Sequence, residues 1–116
     1  MSERDLRLYL SDILDSGGAI QEFVKSLSFE EFCNDRKTYS AVIREFEIIG
    51  EAVGKLIGEL DQEHPEVAWQ DIKDFRNLLI HEYFGVDLEI VWRIVQDDLP
   101  VLMETVRRIL QPEITY

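Results

Sequence analysis

Apolar residues recur at helical spacing along most of the chain, and no segment alternates as a half-buried strand would. One stripe runs through Leu6, Leu10, Ile13, Leu14, Ile20, Phe23, Val24 and Leu27. A second runs through Val42, Phe46, Ile49, Val53, Leu56, Ile57 and Leu60. A third runs through Leu88, Val91, Ile94, Val95, Leu99, Leu102, Val106 and Ile109. The pattern predicts an all-α protein whose helices bury one face each.

Polar residues mark where these helices begin. Ser2 is placed to cap the first helix, and the run from Ser28 to Glu31 has the spacing of a capping box that opens a short helix through Cys33. Asp35 and Asp87 stand where each can cap the helix that follows.

Glycine and proline mark the expected breaks. Gly17–Gly18 interrupts the first stripe and is expected to weaken or kink that helix. His64–Pro65 ends the second long helix, and a further helix is expected from about Trp69 to Phe84. Pro100 removes a hydrogen bond inside the last helix, so a kink is expected there. The sequence therefore predicts an up-and-down bundle of four longer helices and one short helix, forming a single domain over residues 1–116.

Gly50, Gly54 and Gly58 lie four residues apart on the second long helix. Each costs about 1 kcal/mol relative to alanine in a helix interior, so their repetition indicates that another helix approaches closely. That helix belongs either to the same bundle or to a second copy of the chain. The sequence leaves the two possibilities open.

Composition limits the class of protein. The chain has 12 basic and 24 acidic residues, for a formal net charge of -12, which disfavours a general nucleic-acid binder. Any RNA would have to be bound through a local basic patch or with a partner's help. The single cysteine, Cys33, fits a reducing compartment, and no apolar run is long enough to cross a membrane. We expect a cytoplasmic protein without a membrane or DNA partner.

The segment from Arg76 to Tyr83 holds the most concentrated chemistry. It contains an arginine, the amide of Asn77, the imidazole of His81 and a tyrosine. Histidine titrates near neutral pH and can transfer protons, whereas arginine stays charged and binds phosphate oxygens. RNA supplies its own nucleophile, the 2′-hydroxyl, so these groups suffice for phosphodiester cleavage without a metal or cofactor. Arg76 and His81 are the candidate catalytic residues, with Asn77 as a supporting polar group.

The helical geometry of this segment suggests half of a site. At about 100° per residue, Arg76 and His81 lie about 140° apart around one regular helix. The expected core face is formed by Ile72, Phe75, Leu78 and Leu79. Ile80 and Phe84 are apolar but fall away from that face, so the helix is expected to have a second partner. A second subunit packed against this helix would bring two copies of the motif into one cleft.

The order of several motifs resembles the HepT-like toxins of the HEPN superfamily. They are Ile48-Ile-Gly-Glu-Ala52, Trp69-Gln-Asp-Ile72, Arg76-Asn-Leu-Leu-Ile-His-Glu-Tyr83, Val86-Asp-Leu-Glu-Ile-Val-Trp92 and Asp98-Leu-Pro100. The third carries that family's motif: arginine, four residues, histidine, any residue, tyrosine. It falls on Arg76, His81 and Tyr83. The resemblance covers nearly the whole chain.

The resemblance implies a helical bundle that dimerises through the motif-bearing helix, and a metal-independent endoribonuclease with Arg76 and His81 as its catalytic residues. It implies the toxin of a prokaryotic type VII toxin–antitoxin pair. The antitoxin of such pairs is a minimal nucleotidyltransferase that silences the toxin by transferring AMP to the motif's tyrosine, here Tyr83. Added bulk and negative charge beside Arg76 would block an RNA phosphate.

Two other interpretations stay open. In one, the bundle is a non-catalytic module that pairs with a minimal nucleotidyltransferase, which the strong negative charge would favour if the partner were basic. In the other, it is a purely structural helical dimer. Glu51 is polar on an otherwise apolar helix face and is expected to hydrogen-bond within the bundle or to line a cleft, without being catalytic.

Overall fold

The computed structural model describes residues 1–81 and 85–111, except for the side chains of Ile80 and His81. These residues fold into α1 (Glu3–Val24), α2 (Phe29–Cys33), α3 (Arg36–Leu60), α4 (Trp69–His81), α5 (Leu88–Arg93) and α6 (Leu99–Leu110). A π-helical turn, Ile94–Asp98, joins α5 to α6. The predicted all-α bundle is confirmed for the described residues.

The predicted caps are present. The Ser28 hydroxyl accepts from the backbone N–H of Glu31 at 3.1 Å, and the Glu31 carboxylate accepts from the Ser28 N–H at 2.9 Å, which completes the capping box of α2. The Asp35 carboxylate caps α3 by accepting from the Thr38 N–H at 3.1 Å. Asp87 caps α5 through the N–H of Glu89 at 2.9 Å. These bonds satisfy donors that a helix start leaves without partners.

The long helix α3 forms the middle of the bundle. It packs against α1 on one side and α4 on another, while α6 closes on α1 and α2 bridges α3 and α5. Its apolar stripe supplies the centre of the core, where Val42, Ile49, Val53 and Leu56 are fully buried. The core continues into α4 through Ile72, Phe75 and Leu79.

Leu78 corrects the expected core face of α4. Its side chain is 43% exposed, whereas its neighbour Leu79 is 2% exposed. The buried face of α4 is centred between Ile72 and Phe75, and Leu78 lies past its edge. The position directed at α3 on the other edge is taken by Arg76, because Gly50 lets α4 approach there.

Glycine and proline behave differently from each other. α1 continues without interruption through Gly17 and Gly18, so the expected weakening there does not break the helix. A Cβ on Gly17 would lie 2.7 Å from Met103 Sδ, which explains a small residue at that point. Pro100 lies in the first turn of α6, directly after the π turn in which the Leu99 N–H bonds to the Ile94 carbonyl, and the kink expected there stays a prediction.

Candidate functional site

Gly50 on α3 allows the backbone around Arg76 to approach this helix closely. A Cβ built on Gly50 would overlap the Cβ and Cγ of Arg76 and lie 3.5 Å from its Cα. Only a residue without a side chain allows this approach. Among the described residues, a Cβ on Gly54 would meet only Lys73 Cε, at 3.9 Å, and a Cβ on Gly58 would meet nothing within 4 Å. The close approach expected from the glycine repeat therefore occurs inside the bundle at Gly50. Whether Gly58 faces a second copy stays a prediction.

The guanidinium of Arg76 is held at both of its terminal nitrogens. Nη2 donates to Oε2 of Glu51 on α3 at 2.9 Å, and Nη1 donates to Oδ1 of Asn77 at 3.1 Å. Each terminal nitrogen carries two hydrogens, so the group can still donate to a further anion while it is held. The Arg76 side chain is 31% exposed, which leaves the charge within reach of solvent and ligands.

The third nitrogen of the Arg76 guanidinium, Nε, differs from the two terminal nitrogens. It is buried and has no hydrogen-bond partner among the described residues. A guanidinium with one nitrogen buried and two tethered has few orientations left, since turning it would break the bonds to Glu51 and Asn77. Arg76 is thus a fixed cation with its terminal nitrogens toward the surface, the orientation that phosphate binding needs.

Three adjoining clefts lie along α3, and two of them have Arg76 in their walls. The central cleft, of about 360 Å³, has Arg44, Glu47, Glu51 and Arg76 in its walls. The Lys73 cleft, of about 190 Å³, shares Glu51 and Arg76 with it. The Arg36 cleft, of about 490 Å³, shares Arg44 and Glu47 with it. The Arg36 cleft, the central cleft and the Lys73 cleft therefore follow one another along α3. Arg76 lies between the central cleft and the Lys73 cleft.

The sequence-predicted site residues are placed unequally. Arg76 and Asn77 lie together at the clefts, as described. His81 ends α4, and the helix is regular from Arg76 to that point, so the two backbone positions keep the expected angular separation. The side chain of His81 and the whole of Tyr83 lie outside the described residues. The catalytic and modification roles assigned to these residues stay predictions.

Sequence reasoning missed most of the side chains around Arg76. Glu51 was expected to line a cleft or bond within the bundle, and it does both. Arg44, Arg36 and Lys73 were not singled out, because their spacing on α3 and α4 is typical of any solvated helix face. Only the packing of α4 on α3 brings them to adjoining clefts.

Within the described ranges, none of the helices has the length and apolar character that a membrane crossing requires.

Comparison with known proteins points to one family. The family model described as Ribonuclease HepT-like matches residues 13–109. The chain is 42% identical over 100 residues to "Probable ribonuclease HepT" of Thermococcus cleftensis, covering 86% of this chain and 91% of that protein. It is 41% identical over 106 residues to "Putative RNase MJ1380" of Methanocaldococcus jannaschii, covering 91% and 97%.

A bacterial relative is similar to the same extent. The chain is 43% identical over 107 residues to "Putative RNase TTE0752" of Caldanaerobacter subterraneus, covering 92% of this chain and 96% of that protein. No solved structure matches the chain significantly.

Proposed function

Because the chain belongs to the HepT-like ribonuclease family, we propose that it is a metal-independent endoribonuclease acting as the toxin of a type VII toxin–antitoxin pair. Membership of the family and the names of its relatives support a ribonuclease. The single observation that carries the proposal further is the tethered guanidinium of Arg76, which stands at the surface between two clefts.

The proposed reaction uses the substrate's own nucleophile. The 2′-hydroxyl of RNA loses its proton to an imidazole and its oxygen attacks the adjacent phosphorus. The bond from phosphorus to the 5′-oxygen breaks, and that oxygen takes a proton as it leaves. His81 is proposed for proton transfer, a role typically worth 10²–10⁴-fold in rate. Arg76 is proposed to stabilise the charge that develops on the phosphate oxygens.

A homodimer is proposed to complete the site. In a regular helix Arg76 and His81 are separated by about 140°, so one α4 does not place them side by side. A symmetric contact between two α4 helices would bring two histidines and two arginines together. Leu78, which is 43% exposed on α4, gives such a contact an apolar residue.

Tyr83 is proposed as the site of inactivation. It follows Arg76 by seven residues. The proposed partner is a minimal nucleotidyltransferase antitoxin that transfers AMP from ATP to the tyrosine hydroxyl, which loses its proton while pyrophosphate leaves. The added phosphate would compete for Arg76 with the phosphate of RNA. Intact mass measured with and without the partner and ATP would reveal the added AMP, and Tyr83→Phe should prevent the addition.

Cleavage of single-stranded RNA in excess EDTA tests the ribonuclease directly. We expect the wild-type chain to cleave and both Arg76→Ala and His81→Ala to lose at least 100-fold in rate, given the worth of a general acid or base. Arg107→Ala on the exposed face of α6 and His64→Ala in the α3–α4 connection are matched controls, and they should retain activity. Undiminished cleavage by both motif variants would contradict the assignment.

A second candidate is a non-catalytic module that partners a minimal nucleotidyltransferase. The observation that favours it is the formal net charge of -12, which suits a basic partner better than RNA. If the purified chain binds such a partner but the wild type leaves RNA intact in every condition, this candidate replaces the ribonuclease.

A further inference from the structure

An acidic protein that acts on RNA needs a local surface where phosphates are not repelled. Among the described residues, the clefts hold five of the chain's 12 basic side chains and three of its 24 acidic ones. The basic residues are Arg36, Arg44, Lys55, Lys73 and Arg76. The excess of basic side chains lies in the two outer clefts, because the central cleft has Asp12, Glu47 and Glu51 against Arg44 and Arg76. The Arg36 and Lys73 clefts are thus locally positive on a strongly negative molecule.

We infer that the three clefts form one RNA track, in which Arg36, Arg44 and Lys73 bind the phosphates of nucleotides on either side of the one held by Arg76. This inference rests on the proposed ribonuclease function and names where the substrate chain runs. The clefts share walls in pairs, through Arg44 with Glu47 and through Glu51 with Arg76, so a strand can pass from one to the next.

The order of the cations along α3 gives the track its direction. Arg36, Ser40 and Arg44 lie four residues apart, which places them on one face of the helix. From Arg36 to Lys55 the helix rises about 28 Å, at about 1.5 Å per residue. That length far exceeds one nucleotide, so the track contacts a stretch of backbone, and Arg76 lies beside its last third, toward Lys55, through its contact with Gly50.

The acidic residues in the track do not prevent phosphates from binding to its basic side chains. Arg44 pairs with Glu47 at 3.3 Å, but the arginine is 71% exposed, and an exposed pair of this kind holds its partners weakly. Among the described residues Arg36 and Lys73 form no ion pair. An RNA phosphate therefore competes with a carboxylate at Arg44 and Arg76 and meets no such competitor from the described chain at the other two.

The salt dependence of RNA binding measures how many phosphates the track contacts. The probe is a fluorescein-labelled oligouridine with 2′-O-methyl groups, which has no nucleophile and stays intact with the wild-type protein. Each phosphate contact on a single strand contributes about 0.7 to the slope of log Kd against log salt. Arg36→Gln, Arg44→Gln and Lys73→Gln should each lower that slope by about 0.7 and weaken binding about fivefold at about 0.1 M salt.

Two controls separate charge inside the track from charge elsewhere. Arg107→Gln on α6 and Lys25→Gln after α1 remove the same charge from residues that line none of the three clefts. Both should leave the slope at the wild-type value. Thermal unfolding of each variant shows that it is folded before its slope is compared.

The outcomes distinguish the track from the proposed function. Wild-type slopes in all three track variants, with RNA still cleaved, would overturn the track and leave the ribonuclease standing. Reduced slopes in a protein that never cleaves RNA would keep the track and remove the ribonuclease. Equal loss of slope in the two control variants would overturn the track, because the binding would then follow overall charge.

Discussion

The same substitution at two glycines of α3 is expected to have opposite effects on stability. At Gly50 a new Cβ would overlap Arg76, including the base of its side chain, and α4 must move to make room. At Gly58 none of the described residues lies within 4 Å of the new Cβ. Gly50 is interior to the 25-residue α3, where alanine gains about 1 kcal/mol in helix propensity, whereas Gly58 lies in the last turn, where the gain is smaller.

The magnitudes follow from that comparison. Overpacking typically costs 1–3 kcal/mol, so Gly50→Ala should lose up to about 2 kcal/mol after the gain in propensity. Gly58→Ala should gain less than about 1 kcal/mol, because the residue lies in the last turn of the helix. With about 2.1 cal/mol/K of unfolding entropy per residue, 1 kcal/mol corresponds to about 4 °C in Tm. Gly58→Ala should therefore have the higher Tm of the two variants, by up to about 12 °C.

Thermal unfolding followed by circular dichroism, at several protein concentrations, is the assay. A rise in Tm for Gly50→Ala equal to that for Gly58→Ala would refute the close approach of α4 to α3. A loss of stability in Gly58→Ala that appears only as protein concentration rises would show that Gly58 faces a second copy, because an interface between copies stabilises the fold only where it is populated. If the ribonuclease proposal holds, Gly50→Ala should also lose about 100-fold in activity, the effect of displacing a positioned group by about 1 Å.

Three further predictions concern charge. Burial, with Asp97 and Asp71 nearby, raises the pKa of Asp98 above its ordinary value of 3.8, so its charged form destabilises the fold at neutral pH. Asp98→Asn should therefore raise Tm at pH 7. The gain should vanish below about pH 3.8, where Asp98 is protonated in both the folded and the unfolded chain. Hydrogen bonds from Ser28 lower the pKa of Glu31, and those from Thr38 lower the pKa of Asp35, so their stabilisation is present above the ordinary values of 4.5 and 3.8 and disappears as pH falls through the lowered ones. Acid unfolding of Glu31→Gln should show a smaller pH dependence than the wild type, and an unchanged one would contradict the hydrogen bonding of the Glu31 carboxylate to Ser28. Glu51→Gln keeps an acceptor for Arg76 Nη2 but removes a negative charge from the track, so binding of the 2′-O-methyl probe should tighten, most at low salt, and equal affinity would show that Glu51 does not compete with phosphate.

Local signals predicted most of the helices. Capping residues act on the backbone within three residues, so Ser28 and Asp35 identify the starts of α2 and α3 from the sequence alone. Pro100 likewise predicts a kink because it lacks an N–H. The π turn that precedes Pro100 depends on how α5 and α6 meet their neighbours, which no local pattern contains.

Long-range contacts account for what the sequence left open. Glu51 and Arg76 are 25 residues apart, and their ion pair exists only because Gly50 admits α4. The exposed position of Leu78 has the same origin, since the tilt of α4 decides which edge of its apolar face is buried. The family resemblance, confirmed by the match over residues 13–109, singled out Arg76 without giving its partners.

The π turn at Ile94–Asp98 also changes how the last helices tolerate altered length. Its hydrogen bond spans one residue more than an α-helical turn. The turn therefore accommodates an extra residue while the helices before and after it both keep their apolar faces toward the core. Losing one residue there would restore a regular helix and leave Leu102 and Val106 facing inward. Losing one inside α6 would rotate every later side chain by about 100° and expose the stripe. The π turn is therefore expected to tolerate a one-residue deletion that α6 does not tolerate.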